Sequence, residues 1–400
     1  MIQILFGCYG GGHSNIIKSV YNKLCETTDS SQIGIIPFTT AHGYFRENNI
    51  PYLDVDKYIK RFICKKVLNY LLNKSLPTNK YVTEKETLNY FAVGVTSNSL
   101  KYGFEKAIEM FEKDGRFSFD PVEFFELVLQ ELKPKVVVTT NSPRSEYALI
   151  KAANKLNIKT CVVGDLWFEN ENWVYNSDYA NYVCVHSEEI ATHLSKNGLS
   201  NKKIKVTGNP AFDYISKLDR SESNVIQLKN RLKLNYKYII TWICSSEPTT
   251  DNSAYTNWKQ FSHFIDDLNL ELKNVGYIIR TRPNYNQPNL SVTQPNIKIS
   301  HSDKLSDILS ISDYVIYDNS TVGFECKIAN IRSCSIASDG KWPLWVDHKS
   351  AYGFKNMKQL KKYISKHIRD PHKGNIKTSV GDGAKNVCKF IKSLLSNELY

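Results

Sequence analysis

The feature that most constrains this 400-residue chain is a rhythm in which short continuous apolar runs alternate with stretches whose apolar side chains recur at helical spacing. An apolar run without alternation suits a strand buried on both faces. That is the situation in a parallel sheet, whose crossover helices lie on the sheet. In the first half the spacing predicts strands at 2–6, 32–37, 135–139, 159–163, 181–185 and 203–206, with helices at 15–25, 144–156 and 188–197. A second block predicts strands at 238–243, 277–281, 297–300, 314–317 and 331–336, with helices at 261–273, 305–311, 322–329 and 357–368. The expected architecture is therefore α/β, with two Rossmann-like domains over 1–215 and 225–378. The polar stretch 216–224 is the expected linker. Residues 379–400 are expected to form a C-terminal helix packing back on the first domain. Residues 52–132 break the rhythm and read as a helical insertion. Within it, one helix is expected over 57–74, with Ile59, Phe62, Ile63, Val67, Tyr70 and Leu71 forming its apolar stripe.

Length supports two cores, and an apolar fraction of 42% with 23% charged residues is that of a globular chain. The formal charge of +12 attracts phosphates and anionic headgroups. Nucleic acid is excluded as the favoured partner, because the chain has no zinc-finger spacing, no RNP-like strand and no arginine stripe. Lys60, Arg61, Lys65, Lys66 and Lys74 of the expected basic helix make peripheral contact with a membrane's inner face a partner to test. The nine cysteines form no CxxC pair and several sit inside apolar runs, which points to a reducing cytoplasm. No segment approaches the roughly 20 apolar residues that span a bilayer.

Five loops carry the chemistry. Gly10-Gly11-Gly12-His13-Ser14 follows the first strand; Gly11 and Gly12 let a ligand approach the following helix N-terminus, and His13 can act as a base or bind phosphate. The same glycines also suit a plain tight turn. Thr207-Gly208-Asn209-Pro210-Ala211-Phe212-Asp213 reads equally as a strand-to-helix turn or as a hinge touching ligand through Gly208 and Asn209. Arg280-Thr281-Arg282-Pro283 closes a strand, and Arg280 and Arg282 suit a diphosphate. In Asp318-Asn319-Ser320-Thr321-Val322-Gly323-Phe324-Glu325, Ser320 and Thr321 can cap a helix or face a phosphate, and Glu325 can accept from ribose hydroxyls. Gly164-Asp165-Leu166-Trp167-Phe168-Glu169 adds Asp165 as a candidate general base, with Glu169 and Glu171 in reserve. Asp54 and Asp56 match a DxD metal pattern but precede a helix in the wrong domain, so they read as a cap and no metal is expected.

The order of these motifs resembles GT-B sugar-nucleotide enzymes, especially the UDP-N-acetylglucosamine 2-epimerases. The residues carrying the resemblance are the run Lys203-Ile204-Lys205-Val206-Thr207-Gly208-Asn209-Pro210, then Arg231-Leu232-Lys233-Leu234, the Asp318 to Glu325 segment, and Gly381-Asp382-Gly383-Ala384. The Gly10-Gly11-Gly12-His13 front end looks more like glycosyltransferases of the lipid-linked N-acetylglucosaminyl and diacylglycerol glycosyl type. Departures matter. The epimerases' GTRPE-like first loop is absent, and Cys244-Ser245-Ser246-Glu247 stands where they carry a His-Arg pair. The resemblance thus implies a nucleotide-binding frame without epimerase side chains.

The expectation is a metal-independent, cofactor-free glycosyltransferase of bacterial surface polysaccharide biosynthesis, with a sugar-nucleotide epimerase or hydrolase as the alternative. Its partners would be a nucleotide sugar, UDP-linked first and CMP- or GDP-linked otherwise, and a glycan or lipid-linked acceptor. The donor would lie on the second domain at Ser245, Ser246, Arg280, Arg282, Ser320, Thr321 and Glu325, with Gly208 and Asn209 also on the donor side. The acceptor would meet His13 and Asp165 on the first.

Overall fold

A computed structural model describes residues 1–165, 167–249, 255–281, 290, 292, 294–346, 351–370 and 381–396. The chain forms two compact units: Met1–Asp213 together with Asp382–Tyr400, and Tyr214–Gly381. Each is built on a six-stranded, wholly parallel sheet flanked by helices, the two-unit α/β architecture of GT-B proteins.

Unit 1 contains strands β1 (Ile4–Cys8), β2 (Ile33–Pro37), β3 (Val136–Thr139), β4 (Lys159–Val163), β5 (Tyr182–Val185) and β6 (Ile204–Val206), in the order β2-β1-β3-β4-β5-β6. Its helices are α1 (Gly12–Cys25), α2 (Ala41–Glu47), the inserted α3 (Asp56–Phe62), α4 (Lys65–Leu72), α5 (Glu84–Tyr102), α6 (Phe104–Asp114) and α7 (Val122–Leu132), then α8 (Ser145–Lys155) and α9 (Glu188–Lys196). Every residue of β1, β2 and β3 is buried, as their unbroken apolar runs require when helices cover both faces.

Unit 2 contains α10 (Glu222–Leu232), β7 (Tyr238–Ile243), α11 (Trp258–Glu271), β8 (Val275–Arg280), β9 (Ile297–Ser300), α12 (Leu305–Ile311), β10 (Tyr314–Tyr317), α13 (Val322–Ile328), β11 (Arg332–Ile336), β12 (Ala351–Phe354) and α14 (Met357–His367). The strand order is β12-β11-β10-β7-β8-β9, a doubly wound sheet that reverses direction between β7 and β10. Trp242, Tyr277, Tyr314 and Phe261 fill its core.

The last helix, α15 (Gly383–Ser396), belongs to unit 1. Val387, Ile391 and Leu394, at helical spacing, bury against Ile16, Ile17, Val20 and Leu24 of α1. Each such side chain contributes about 1.5–3 kcal/mol on leaving water. The helix start is fixed by the segment after β6. Gly208 has φ 84°, and its Cα lies so close to Gly383 that an added Cβ would sit 3.2 Å from the Gly383 Cα. The Asp213 carboxylate accepts from Gly383 N and Ala384 N, each at 2.8 Å, and Thr207 O accepts from Asn386 Nδ2. Gly208 to Asp213 is thus a clasp on the terminal helix. Asp213→Ala should therefore destabilise the protein by roughly 1–3 kcal/mol, since it uncaps two N–H groups that a carboxylate now holds. Urea unfolding checks this, and an unchanged midpoint would contradict it.

The single helix expected over 57–74 is two helices, α3 and α4. The chain is extended at Ile63, and Cys64 N donates to Thr96 Oγ1 of α5 at 3.3 Å. The apolar stripe is spent on packing: Ile59, Val67 and Leu71 are buried. Three of the five basic residues pair with acids of neighbouring helices, Arg61 with Glu131, Lys66 with Glu105 and Lys74 with Glu112, and Lys57 joins Arg61 on Glu131. Among the described residues no helix is long and apolar enough to cross a membrane.

Candidate functional site

In open parallel sheets, ligands sit beyond the carboxyl ends of the strands, where the winding direction reverses. In unit 1 that point lies between β1 and β3, and the loops leaving them carry most of the unusual chemistry. Gly10 and Gly11 have φ of 130° and 60°. An added Cβ at Gly10 would strike Thr40 Oγ1 at 2.2 Å, whereas at Gly11 and Gly12 it would meet nothing within 4 Å. Gly10 is thus demanded by packing, Gly11 by its backbone angle, and Gly12 opens onto free space at the start of α1. No side chain caps that start.

A buried carboxylate ties the two loops together. Glu146, in the first turn of α8, is fully buried. It accepts from Tyr9 N at 2.7 Å, from Ser142 N at 3.0 Å and from Thr140 Oγ1 at 2.7 and 2.9 Å. Burial pushes its pKa up, while nearby His13 and these donors pull it down. Glu146 therefore fixes where the Tyr9 backbone stands relative to the loop leaving β3.

His13 Nε2 lies 3.9 Å from Asp165 Oδ2, inside ion-pair range but beyond a hydrogen bond. Both side chains are partly exposed, at 21% and 29%. Asp165 is held by its backbone from two sides: its N–H donates to Asn141 Oδ1 at 3.1 Å, and its carbonyl accepts from Asn209 Nδ2 at 2.7 Å. The strand ends of β1, β3, β4 and β6 thus converge on this pair. Asn209 is buried, and its Oδ1 accepts from Ala211 N. Gly208 and Asn209, expected on the donor side, stand in unit 1 and serve the clasp and Asp165. Glu171 has its pKa raised, chiefly by burial. Of the DxD pair, Asp54 Oδ1 accepts from Asp56 N at the start of α3, and Asp56 pairs with Lys85.

Arg144 was not singled out by sequence reasoning, which placed it as the first residue of a helix. It precedes α8 with φ 64° and ψ −113°, nearly the angles of Gly11 (60°, −136°) before α1. Two neighbouring strand-to-helix turns thus share one backbone conformation. One uses glycine there and the other an arginine, at a strain of about 1–3 kcal/mol. The guanidinium lies over the rings of Tyr9 and Phe117, at 4.9 and 5.2 Å from their centroids. The only sequence signal was Pro143 between a strand end and a helix.

In unit 2 the reversal between β7 and β10 brings together Ser245 and Ser246 with Asp318, Asn319, Ser320 and Thr321. Asp318 is buried, and its Oδ1 accepts from Thr256 N at 2.9 Å and Thr256 Oγ1 at 2.5 Å. Its Oδ2 and Ser246 Oγ are buried atoms with no hydrogen-bond partner among the described residues. Burial raises the Asp318 pKa, against the pull of its donors. Ser245 Oγ accepts from Asn319 N at 3.4 Å, and Ser320 Oγ from Val322 N at 3.4 Å. Thr321 is exposed and caps with backbone alone. Beside Asp318 lies a cavity of about 640 Å³ whose lining includes His263, Lys355, Lys358 and Lys361. None of these four was expected from sequence.

Two expected donor ligands are engaged within the protein. Arg280 Nη1 donates to His301 O at 2.8 Å and reaches Ser300, and burial lowers its pKa. Glu325, one turn inside α13, is 7% exposed and accepts from the Tyr214 hydroxyl. It is thus not the open carboxylate that the sequence suggested, and burial pushes its pKa up to about 7. Arg282 lies outside the described residues.

No protein-family model and no curated protein matches this chain. Solved structures do. A UDP-GlcNAc 2-epimerase from Methanocaldococcus jannaschii, in complex with UDP-GlcNAc and UDP, is 16% identical, with a TM-score of 0.62 over 98% of this chain and 99% of that one. The UDP-GlcNAc 2-epimerase from Neisseria meningitidis, bound to UDP-GlcNAc, is 14% identical, with a TM-score of 0.59 over 99% and 100%. A wall teichoic acid polymerase is 13% identical, with a TM-score of 0.53 over 99% and 90%. At these identities the likeness is one of fold: the chain shares the GT-B architecture of these UDP-GlcNAc 2-epimerases and of the wall teichoic acid polymerase.

Proposed function

We propose that this chain is a GT-B glycosyltransferase that moves a sugar from a nucleotide-sugar donor to a glycan or glycolipid acceptor, without a metal. Unit 2 holds the nucleotide at the β7–β10 reversal, with Ser245, Ser246, Ser320 and Thr321 toward the phosphates. Unit 1 holds the acceptor. The observation that carries the reading is the His13–Asp165 pair, 3.9 Å apart and partly open, at the reversal point of unit 1. A base held there by Asn141 and Asn209 can take the proton of an acceptor hydroxyl as it attacks the anomeric carbon. Backbone N–H groups at helix starts and the lysines near Asp318 would stabilise the leaving diphosphate.

The epimerase alternative is favoured by the fold likeness to enzymes solved with UDP-GlcNAc. Against it stand Ser245 and Ser246 in place of the His-Arg pair that such enzymes carry. Both readings require a nucleotide site. A thermal-shift series with UDP, CDP, GDP and CMP, and their sugars, should raise the Tm for one nucleotide class. No shift with any of them would overturn both readings.

A further inference from the structure

We propose that the turn before α8 is a subsite for an anionic group, a phosphate or carboxylate, carried by the acceptor, with Arg144 as its cation. The inference rests on the reading of unit 1 as the acceptor side. Four observations converge on it. Arg144 sits in a conformation suited to glycine, and the matching position of the adjacent turn is a glycine. Strain of this kind persists where the surrounding structure has a use for it. Its guanidinium makes no ion pair among the described residues, and its Nε has no hydrogen-bond partner. The faces of Tyr9 and Phe117 pack against the guanidinium, the Tyr90 side chain takes part of its donor capacity, and the Nε edge is left for a ligand. Two further buried polar atoms, Tyr9 Oη and His13 Nδ1, also have no hydrogen-bond partner among the described residues.

Those groups are held together rather than merely near. Glu146 bonds the backbone of Tyr9 and of Ser142, so the loops bearing Tyr9 and Arg144 share one anchor. Its own charge is shared among Thr140, Ser142 and Tyr9, and it is buried beneath them. Asp165 is the other acid nearby, and it lies on the His13 side. A guanidinium with a free Nε edge against the Tyr9 phenol, on loops adjoining the one that carries His13, offers donors that match the oxygens of a phosphate or carboxylate. The α1 start, open at Gly11 and Gly12, adds to the same preference.

The test uses three ligands on one ring: glucose 6-phosphate, glucuronate and glucose. Each is titrated calorimetrically into the full chain and into Arg144→Gly and Arg144→Lys, with UDP titrated in parallel. Wild type should bind glucose 6-phosphate or glucuronate and not glucose, and the preferred anion identifies the group. Arg144→Gly relieves the strain, so its Tm should hold or rise while anion affinity falls at least about tenfold. Arg144→Lys should fall in between, and UDP affinity should be unchanged in both. No anion binding by wild type, or binding equal in Arg144→Gly, would overturn the proposal. So would a lower Tm in Arg144→Gly, which would make Arg144 a structural residue. Failure of UDP alone would count against the nucleotide reading of unit 2 and leave the anion subsite standing.

Discussion

Asp165→Asn and His13→Ala are each expected to lower glycosyl transfer by roughly 10²–10⁴-fold, the contribution of a positioned general base. Donor binding should persist in both. The argument is positional. Asp165 is gripped through its backbone N–H and carbonyl, so exchanging its carboxylate for an amide leaves both bonds in place. His13 stands one residue inside α1, and its loop is anchored by Glu146 through Tyr9 N. Because the two side chains are 3.9 Å apart, the double variant should lose little more than the worse single one if they act as a unit. Initial rates with the donor found by thermal shift, together with UDP titration, check this. Loss of UDP affinity in either variant would move these residues out of the acceptor side.

The second large effect concerns Glu325. Its pKa is raised from 4.5 to about 7 because burial penalises the carboxylate, while the Tyr214 hydroxyl lowers it in part. Between those two values the folded chain retains a proton that the unfolded chain has released. Stability therefore falls as pH rises from about 4.5 to about 7, then levels off, for a total of about 3 kcal/mol. Glu325→Gln keeps a hydrogen-bond partner for Tyr214 and removes the ionisation. It should match wild type near pH 4 and exceed it by about 2–3 kcal/mol at pH 8. Urea midpoints at the two pH values read the effect. A variant less stable than wild type at pH 8 would contradict the burial argument.

Much of the frame was legible because buried parallel strands are continuous apolar runs. The β4, β7, β9 and β10 bounds agree with the sequence reading to the residue. Ala351-Tyr352-Gly353-Phe354 escaped because β12 is a short edge strand, partly exposed and containing a glycine. The break between α3 and α4 carries no glycine or proline. A tertiary bond, Thr96 to Cys64 N, makes it, and no local pattern reports such a bond. The glycine turn and Asp165 could be found as loops following strands. The carboxylates were harder to read. An acid in a first helical turn looks like a cap, yet Glu146 ties two loops together from inside the protein and Glu325 is taken by Tyr214. Arg144 was hidden for a different reason: its significance lies in its backbone angle, which the residue type argues against.

The central claim is transfer to an acceptor rather than rearrangement of the donor sugar, and the most direct measurement follows the donor alone. Purified protein is incubated with UDP-N-acetylhexosamines without acceptor, and the anomeric and ring protons are followed by NMR. A transferase whose base stands on unit 1, at His13 and Asp165, should leave the sugar's configuration unchanged and release little free sugar. Interconversion of the N-acetylhexosamines, or rapid sugar release undiminished by Asp165→Asn and His13→Ala, would contradict the account and establish the epimerase or hydrolase reading in its place.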